Sequence, residues 1–456
     1  MVREEVSGKV APAALSRRDD LLARRIGKRL KAFPLLHRIC KAVYVTADRL
    51  RHRLSGVPLE LDRRARLHSI DEPAEHFFGY YDKCPWDPAG GRVLYHRRAG
   101  DDVELVVSGL ATGEKTVLGR SETWNWQQGA MLQWWPGSPE RVVHNALREG
   151  KLAAVIRDSR SGEVLDTLPM PVQTIRRDGR AIISLNYRRL TVCRPDYGYA
   201  VEAGNFAANQ PDDADGLWRV DVPGGAPELI LRIEDLKRHE PLRSMDGAPH
   251  RVNHVMYAPS GNRLVFIHRW FTRKGRQDRL YTVNDDGSNL YLLADDGMAS
   301  HQSWLDADRL LCYCSVAPRG AGYYVLRDRS GTADAFAGGA LDAHGDGHPS
   351  ASPQGRWVVT DTYPAERRMS RLLLFDTDRA ESVTVGRFFA PWAFDGPVRC
   401  DLHPRWSPDG KWVSVDSVHP RRRGMFLIDV SAIVAEPGSE SAPQAAAGPG
   451  PGADGG

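Results

Sequence analysis

The feature that most constrains this chain is a run near its end, His403-Pro404-Arg405-Trp406-Ser407-Pro408-Asp409-Gly410, which recurs upstream in degraded form. The earlier copies are His348-Pro-Ser-Ala-Ser-Pro353-Gln-Gly355, His301-Gln-Ser-Trp304-Leu-Asp-Ala-Asp308 and His254-Val-Met-Tyr257-Ala-Pro259-Ser-Gly261. Their histidines lie 47, 47 and 55 residues apart. Each turn leads into a β-rich run: Arg263-Leu-Val-Phe-Ile-His268, Arg309-Leu-Leu-Cys-Tyr-Cys314, Arg356-Trp-Val-Val-Thr360 and Lys411-Trp-Val-Ser-Val415. Strand, turn, strand at this period marks a propeller blade or a solenoid unit.

Further units start near residues 83, 131 and 187, which makes seven and predicts an all-β, seven-bladed β-propeller over 59–435. In the first, Lys83 takes the histidine's place ahead of Trp86; in the second that place falls to glutamine or methionine; the third holds Ala181–Ser184 and Tyr187. An excess of about twenty residues before His254 predicts a loop over one face, with a short helix at 236–243. The segment 59–70, ahead of the first unit, is expected to supply the last blade's outer strand and close the ring. Blades are related by rotation about one axis. His254, His301, His348 and His403 should therefore meet at one mouth of the channel, where imidazoles suit a metal or an anion. The alternative for each is a structural histidine bonded to a neighbouring blade.

Net charge is only +4, and basic and aromatic residues are scattered rather than striped, which argues against nucleic acid as a partner. Twelve tryptophans suit either sugar stacking or filling between blades. The six cysteines show no framework spacing; Cys312 and Cys314 are expected in the core. No apolar leader and no membrane-length stretch is evident, so a cytoplasmic monomer is expected. Residues 1–58 differ from the rest: 21–45 carries apolar residues at helical spacing with arginine and lysine between them. This predicts a basic helical extension that packs on the propeller or touches an anionic membrane surface. The Ala-, Gly-, Pro- and Ser-rich tail 436–456 is expected to be disordered.

No nucleophile elbow, phosphate loop or His-Glu-x-x-His helix is present. What remains is the histidine funnel, faced by Tyr80, Tyr81, Gln127, Gln128, His144, Tyr187, Arg188 and Arg194. Such a set suits an acidic sugar: an arginine or a metal neutralises the carboxylate, and a tyrosine or histidine moves protons. With histidines and a carboxylate such as Asp346 or Asp401, the metal would be zinc or manganese.

The blocks His76-Phe-Phe-Gly-Tyr-Tyr-Asp, Trp126-Gln-Gln-Gly-Ala-Met-Leu-Gln-Trp134, Ser184-Leu-Asn-Tyr187 and His250-Arg-Val-Asn-His254 resemble seven-bladed propeller polysaccharide lyases. The likeness is to ulvan lyases in particular and, more distantly, to oligogalacturonate lyases. It implies β-elimination at a uronate: the C5 proton is removed and the C4-linked oxygen leaves. It also implies a catalytic tyrosine and histidine, matched by Tyr187 and His144, and an arginine facing the carboxylate, with Arg188, Arg194 and Arg243 all open. A metal would be held by His254, His301, His348 and His403, and substrate by Tyr80, Tyr81, Gln127, Gln128, Arg243 and His250. One departure stands out: Trp126 and Gln127 occupy the region where the family has its other catalytic histidine. The expected activity is a lyase acting on an acidic polysaccharide or oligosaccharide. The alternative is a non-catalytic propeller that binds glycan or protein beside a membrane-bound glycan-assembly machine.

Overall fold

The computed structural model describes residues 58–435 except Glu202 and Lys274, together with residues 3, 4 and 46. The segment 21–45 and the tail 436–456 lie outside the described residues. Seven antiparallel sheets follow one another along the chain as a seven-bladed all-β propeller. The innermost strands of blades one to seven are His76–Phe77, Gln133–Trp135, Thr174–Ile175, His250–Tyr257, Ala299–Trp304, Ser350–Ala351 and Arg405–Trp406. No helix of the described residues is long and apolar enough to cross a membrane.

The second strands show why the sequence forms blades. Arg309–Val316, Trp357–Asp361 and Trp412–Ser417 are rich in β-branched and aromatic residues, and each is buried on both faces because a blade lies on either side. Leu311, Val359 and Val413, for example, are fully buried. At about 25 cal/mol per Å² of apolar surface, this inter-blade burial is the main driving force for the ring.

Closure goes further than the sequence predicts. Arg66–Ser69 pairs with Gly424–Asp429 as the outer strand of blade seven, as expected of the segment 59–70. Leu59–Leu61 also pairs with Glu381–Phe389, adding a fifth strand to blade six. One short segment thus ties two neighbouring blades, and Arg3–Glu4 pairs with its second half.

Blade three corrects the sequence reading. Its innermost strand is Thr174–Ile175, not a run beginning near 187, and Ala181–Ser184 is its second strand. Tyr187–Cys193 is a helix between the second and third strands, N-capped by Asn186, whose side chain accepts from the Arg189 N–H. The extra residues are split between this excursion and 233–249, where the expected short helix runs over Ile233–Arg238.

Candidate active site and metal centre

The four repeat histidines converge. Ring centroids of His254 and His301 are 6.0 Å apart, those of His301 and His348 4.1 Å, and those of His348 and His403 4.3 Å. A local backbone device turns two of them inward. His254 and His403 have left-handed φ of 55° and 44°, uncommon for residues with a side chain, and His254 sits in a register shift between Asn253 and Met256. The equivalent residue of blade two, Met131, shares the conformation with φ 55°.

Three of the imidazoles are oriented through Nδ1. His301 Nδ1 is 3.0 Å from Asp346, His348 Nδ1 is 2.8 Å from Asp361, and His403 Nδ1–H donates to the Gly79 carbonyl at 2.8 Å. This is the arrangement of metal-ligating histidines, in which the outer partner fixes the tautomer and frees Nε2. The Nε2 atoms of His348 and His403 are buried and have no hydrogen-bond partner among the described residues. Together with Asp401 they form a group whose ligand atoms all lie within 4.8 Å of one another. Arg399 Nε donates to Asp401 Oδ2 at 2.9 Å. Burial holds His254 and His403 well below the ordinary imidazole range, helped by nearby Arg269 and by His348 respectively. Burial also pushes His348 down, but Asp361, Asp401 and Asp346 together raise it above its usual value.

Tyr80 and Tyr81 stand among these rings, carried there by residues 78–85, which leave the sheet of blade one. Tyr80 Oη lies 2.8 Å from His254 Nδ1, and its ring stacks on His254 and meets His403 edge-on. Tyr81 donates to the Gln302 carbonyl at 2.7 Å. Burial raises both phenols well above their normal range. Lys83, expected at a histidine's place, pairs instead with Asp82 at 2.5 Å.

Arginines surround the cluster. Arg194 lies 2.8 Å from Asp196 and over the ring of Tyr197, which meets His254 edge-on. Arg399 bridges Asp196, Asp401 and the Tyr197 hydroxyl. Arg251 is fully buried, donates to the Cys193 carbonyl at 2.6 Å, and leaves Nε and Nη2 without a hydrogen-bond partner among the described residues. Two positions on, both polar atoms of the buried Asn253 side chain are also unpaired. Such atoms cost about 1–3 kcal/mol each, more for charged groups, unless a ligand or water meets them. Burial, then Arg269 and Arg194, lowers the Arg251 guanidinium to about 9.

The other sequence-assigned residues are engaged elsewhere. The Tyr187 hydroxyl faces Gln173 Oε1 and the Val172 carbonyl, and its ring stacks on Tyr199 at 4.4 Å. His144 donates from Nδ1 to the Asn145 carbonyl and accepts at Nε2 from Arg157; burial pushes it down to about 3. Arg188 reaches the Val201 carbonyl, and Arg243 is exposed on the connection to blade four. His250 donates from Nε2 to the Met245 carbonyl and accepts at Nδ1 from His268. Gln127 does reach the rim, donating to the Arg399 carbonyl at 3.1 Å, while Gln128 leaves a buried Oε1 unpaired. Near the Gln-Gln-Gly block the histidine present is His96, which accepts from the Ala130 N–H and packs where any side chain at Gly129 would collide with it.

Sequence reading missed Arg251, Tyr197, Arg399, Asp361 and Asp416. For the two aspartates a signal was there: Trp357-Val-Val-Thr-Asp361 and Trp412-Val-Ser-Val-Asp416 place a carboxylate at the same point of successive repeats.

No protein-family profile matches the chain, and no curated protein resembles it in sequence. Similar solved structures exist. An oligogalacturonate lyase in complex with manganese superposes with a TM-score of 0.60 at 16% identity, over 82% of this chain and 96% of that one. An oligogalacturonate lyase from Vibrio parahaemolyticus gives 0.58 at 13% identity, with the same coverages. TolB from Acinetobacter baumannii gives 0.37 at 13% identity, over 77% of this chain and 69% of that one, too distant to bear on function. At these identities the likeness establishes the propeller fold and its seven-bladed layout.

Proposed function

We propose that this protein is a metal-dependent lyase that cleaves a uronic-acid-containing polysaccharide or oligosaccharide by β-elimination. The observation that carries the reading is the pair of buried, partnerless Nε2 atoms of His348 and His403 facing Asp401, with the Tyr80–His254 pair beside them. Likeness in fold to a manganese-bound oligogalacturonate lyase supports it.

Two imidazoles, which would ligate in their neutral form, and a carboxylate fit zinc or manganese, so His348, His403 and Asp401 would hold the ion. A bound divalent cation supplies a positive charge that steadies the uronate carboxylate and the charge that develops on C5 deprotonation. The chain's own residues carry the proton. Burial keeps His254 neutral at pH 7, and its Nε2 has no partner among the described residues. With Nδ1–H donated to Tyr80 Oη, His254 Nε2 would take the C5 proton; the C4–O bond then breaks, a C4=C5 double bond forms, and the leaving oxygen takes the Tyr80 phenol proton, which the His254 Nδ1 proton replaces. Arg251, with two unspent donors, is the arginine best suited to the substrate carboxylate.

Incubation with uronate polymers and oligomers, with manganese or zinc supplied, should give the ultraviolet absorbance of an unsaturated product. No signal on any of them would defeat the proposal. The second reading, a non-catalytic propeller that binds glycan or a protein partner, draws on one observation: Tyr187 and His144, the pair matched to the lyases, are both spent on internal hydrogen bonds. Binding of an oligouronate without turnover would favour it.

A further inference from the structure

The two carboxylates beside His348 are not equivalent. Asp361, at the end of the second strand of blade six, is almost fully buried, and its two oxygens already accept three hydrogen bonds. Oδ1 takes the His348 backbone N–H and its Nδ1–H, both at 2.8 Å. Oδ2 takes the backbone N–H of His403, in the next blade, at 3.1 Å. One carboxylate therefore fixes an imidazole of its own blade and the main chain that carries the imidazole of its neighbour. It does so at the residue whose φ is 44°, a conformation that a non-glycine residue keeps only when its surroundings enforce it.

The repeat-equivalent carboxylate in blade seven behaves alike. Asp416 accepts from the backbone N–H groups of Phe78 and Gly79 in blade one, at 2.9 and 3.0 Å, and from Arg405 at 2.8 Å. Gly79 then presents its carbonyl to His403 Nδ1. His403 is thus gripped from both sides by inter-blade carboxylates, directly through its N–H and indirectly through Gly79. Asp401 differs: Arg399 engages only its Oδ2, and it is the acidic member of the group within 4.8 Å.

We infer that Asp361 is a positioning residue that builds the two-histidine, one-carboxylate group, locking His348 with Nδ1 protonated and Nε2 free while holding His403 at the matching place in the next blade. The inference rests on the metal reading given above. An asparagine at 361 keeps the size but cannot serve both sides: with its amide oxygen toward His348, its NH2 meets the His403 N–H, donor to donor.

Manganese titration by calorimetry, on the full chain, tests this with three proteins: the native protein, Asp361→Asn, and Asp328→Asn, which removes a buried carboxylate paired with Arg263 elsewhere in the ring. Asp361→Asn should bind manganese about 10- to 100-fold more weakly, the usual effect of losing an outer partner of a metal-bound histidine. Asp328→Asn, whatever it costs in melting temperature, should bind as the native protein does. Native affinity in Asp361→Asn overturns the inference and leaves the metal reading standing. Absence of binding by the native protein to both manganese and zinc overturns the metal reading itself. Should Asp361→Asn fail to fold, imidazole nitrogen NMR of the metal-free native protein at alkaline pH decides: His348 protonated on Nδ1 supports the inference, and His348 protonated on Nε2 overturns it.

Discussion

Tyr80 Oη and His254 Nδ1 lie 2.8 Å apart with their rings stacked 5.2 Å between centroids, although the residues are separated by 174 positions in the chain. The phenol comes from blade one and the imidazole from blade four, so the channel axis is where the two meet. If this pair moves the proton, Tyr80→Phe keeps the packing and loses the chemistry. Turnover of an oligouronate should fall by about 100-fold or more. Binding of the same ligand should change little. Unchanged turnover would remove Tyr80 from the mechanism.

Arg251 gives a prediction whose two readouts run in opposite directions. Arg251→Met removes a buried cation that has no carboxylate partner among the described residues, so thermal stability should hold or rise. If the unspent donors meet a uronate carboxylate, kcat/KM should nevertheless fall by roughly 10- to 100-fold, the worth of a charge-assisted hydrogen bond. A fall in stability with unchanged kinetics would make Arg251 a structural residue.

The two histidine sets separate by metal content. If the native protein carries an ion by elemental analysis, His348→Ala and His403→Ala should purify without it, because each removes one of the partnerless Nε2 atoms. His144→Ala should keep it, since that ring is bonded to Asn145 and Arg157. Loss of metal in all three would mean that the fold, not the ligand set, was being tested.

Acid stability follows from buried neutral histidines. Burial lowers His419 to about 4, against about 6.5 in an unfolded chain. Between these values the unfolded state binds more protons, so stability is present above pH 6.5 and is lost as pH falls toward 4, at up to about 1.4 kcal/mol per pH unit. His419→Gln should flatten the acid limb of a melting-temperature profile in that window. An unchanged slope would show that His419 does not carry it.

Ring closure predicts a sharp boundary near the N-terminus. A chain beginning at residue 58 retains both Leu59–Leu61 and Arg66–Ser69 and should melt cooperatively. One beginning at residue 71 lacks the outer strand of blade seven and the fifth strand of blade six, and should not fold to a closed ring. Equal melting of the two would show that closure does not depend on this segment.

The amino-acid order alone determined the number of blades, the closing segment and the meeting of four histidines, because a near-constant repeat fixes a rotation and a rotation sends equivalent positions to one axis. Blade three was the exception: its innermost strand, Thr174–Ile175, keeps the repeat's Asp178-Gly179 turn but has Val172 in place of the histidine, so the histidine spacing does not mark where the blade begins. Only the tertiary structure decided what each polar atom does. Tyr187 and His144 could be matched to a motif by type, but their hydrogen bonds to Gln173 and Arg157 are set by local packing that a motif does not record. The orientation of His403 depends on Gly79 and Asp361, 324 and 42 positions away, and the spare donors of Arg251 on a nearby carboxylate, Asp278, that Arg269 already holds. Repetition specifies where a backbone goes; hydrogen-bond partners are chosen across blades, among atoms that the linear order leaves far apart.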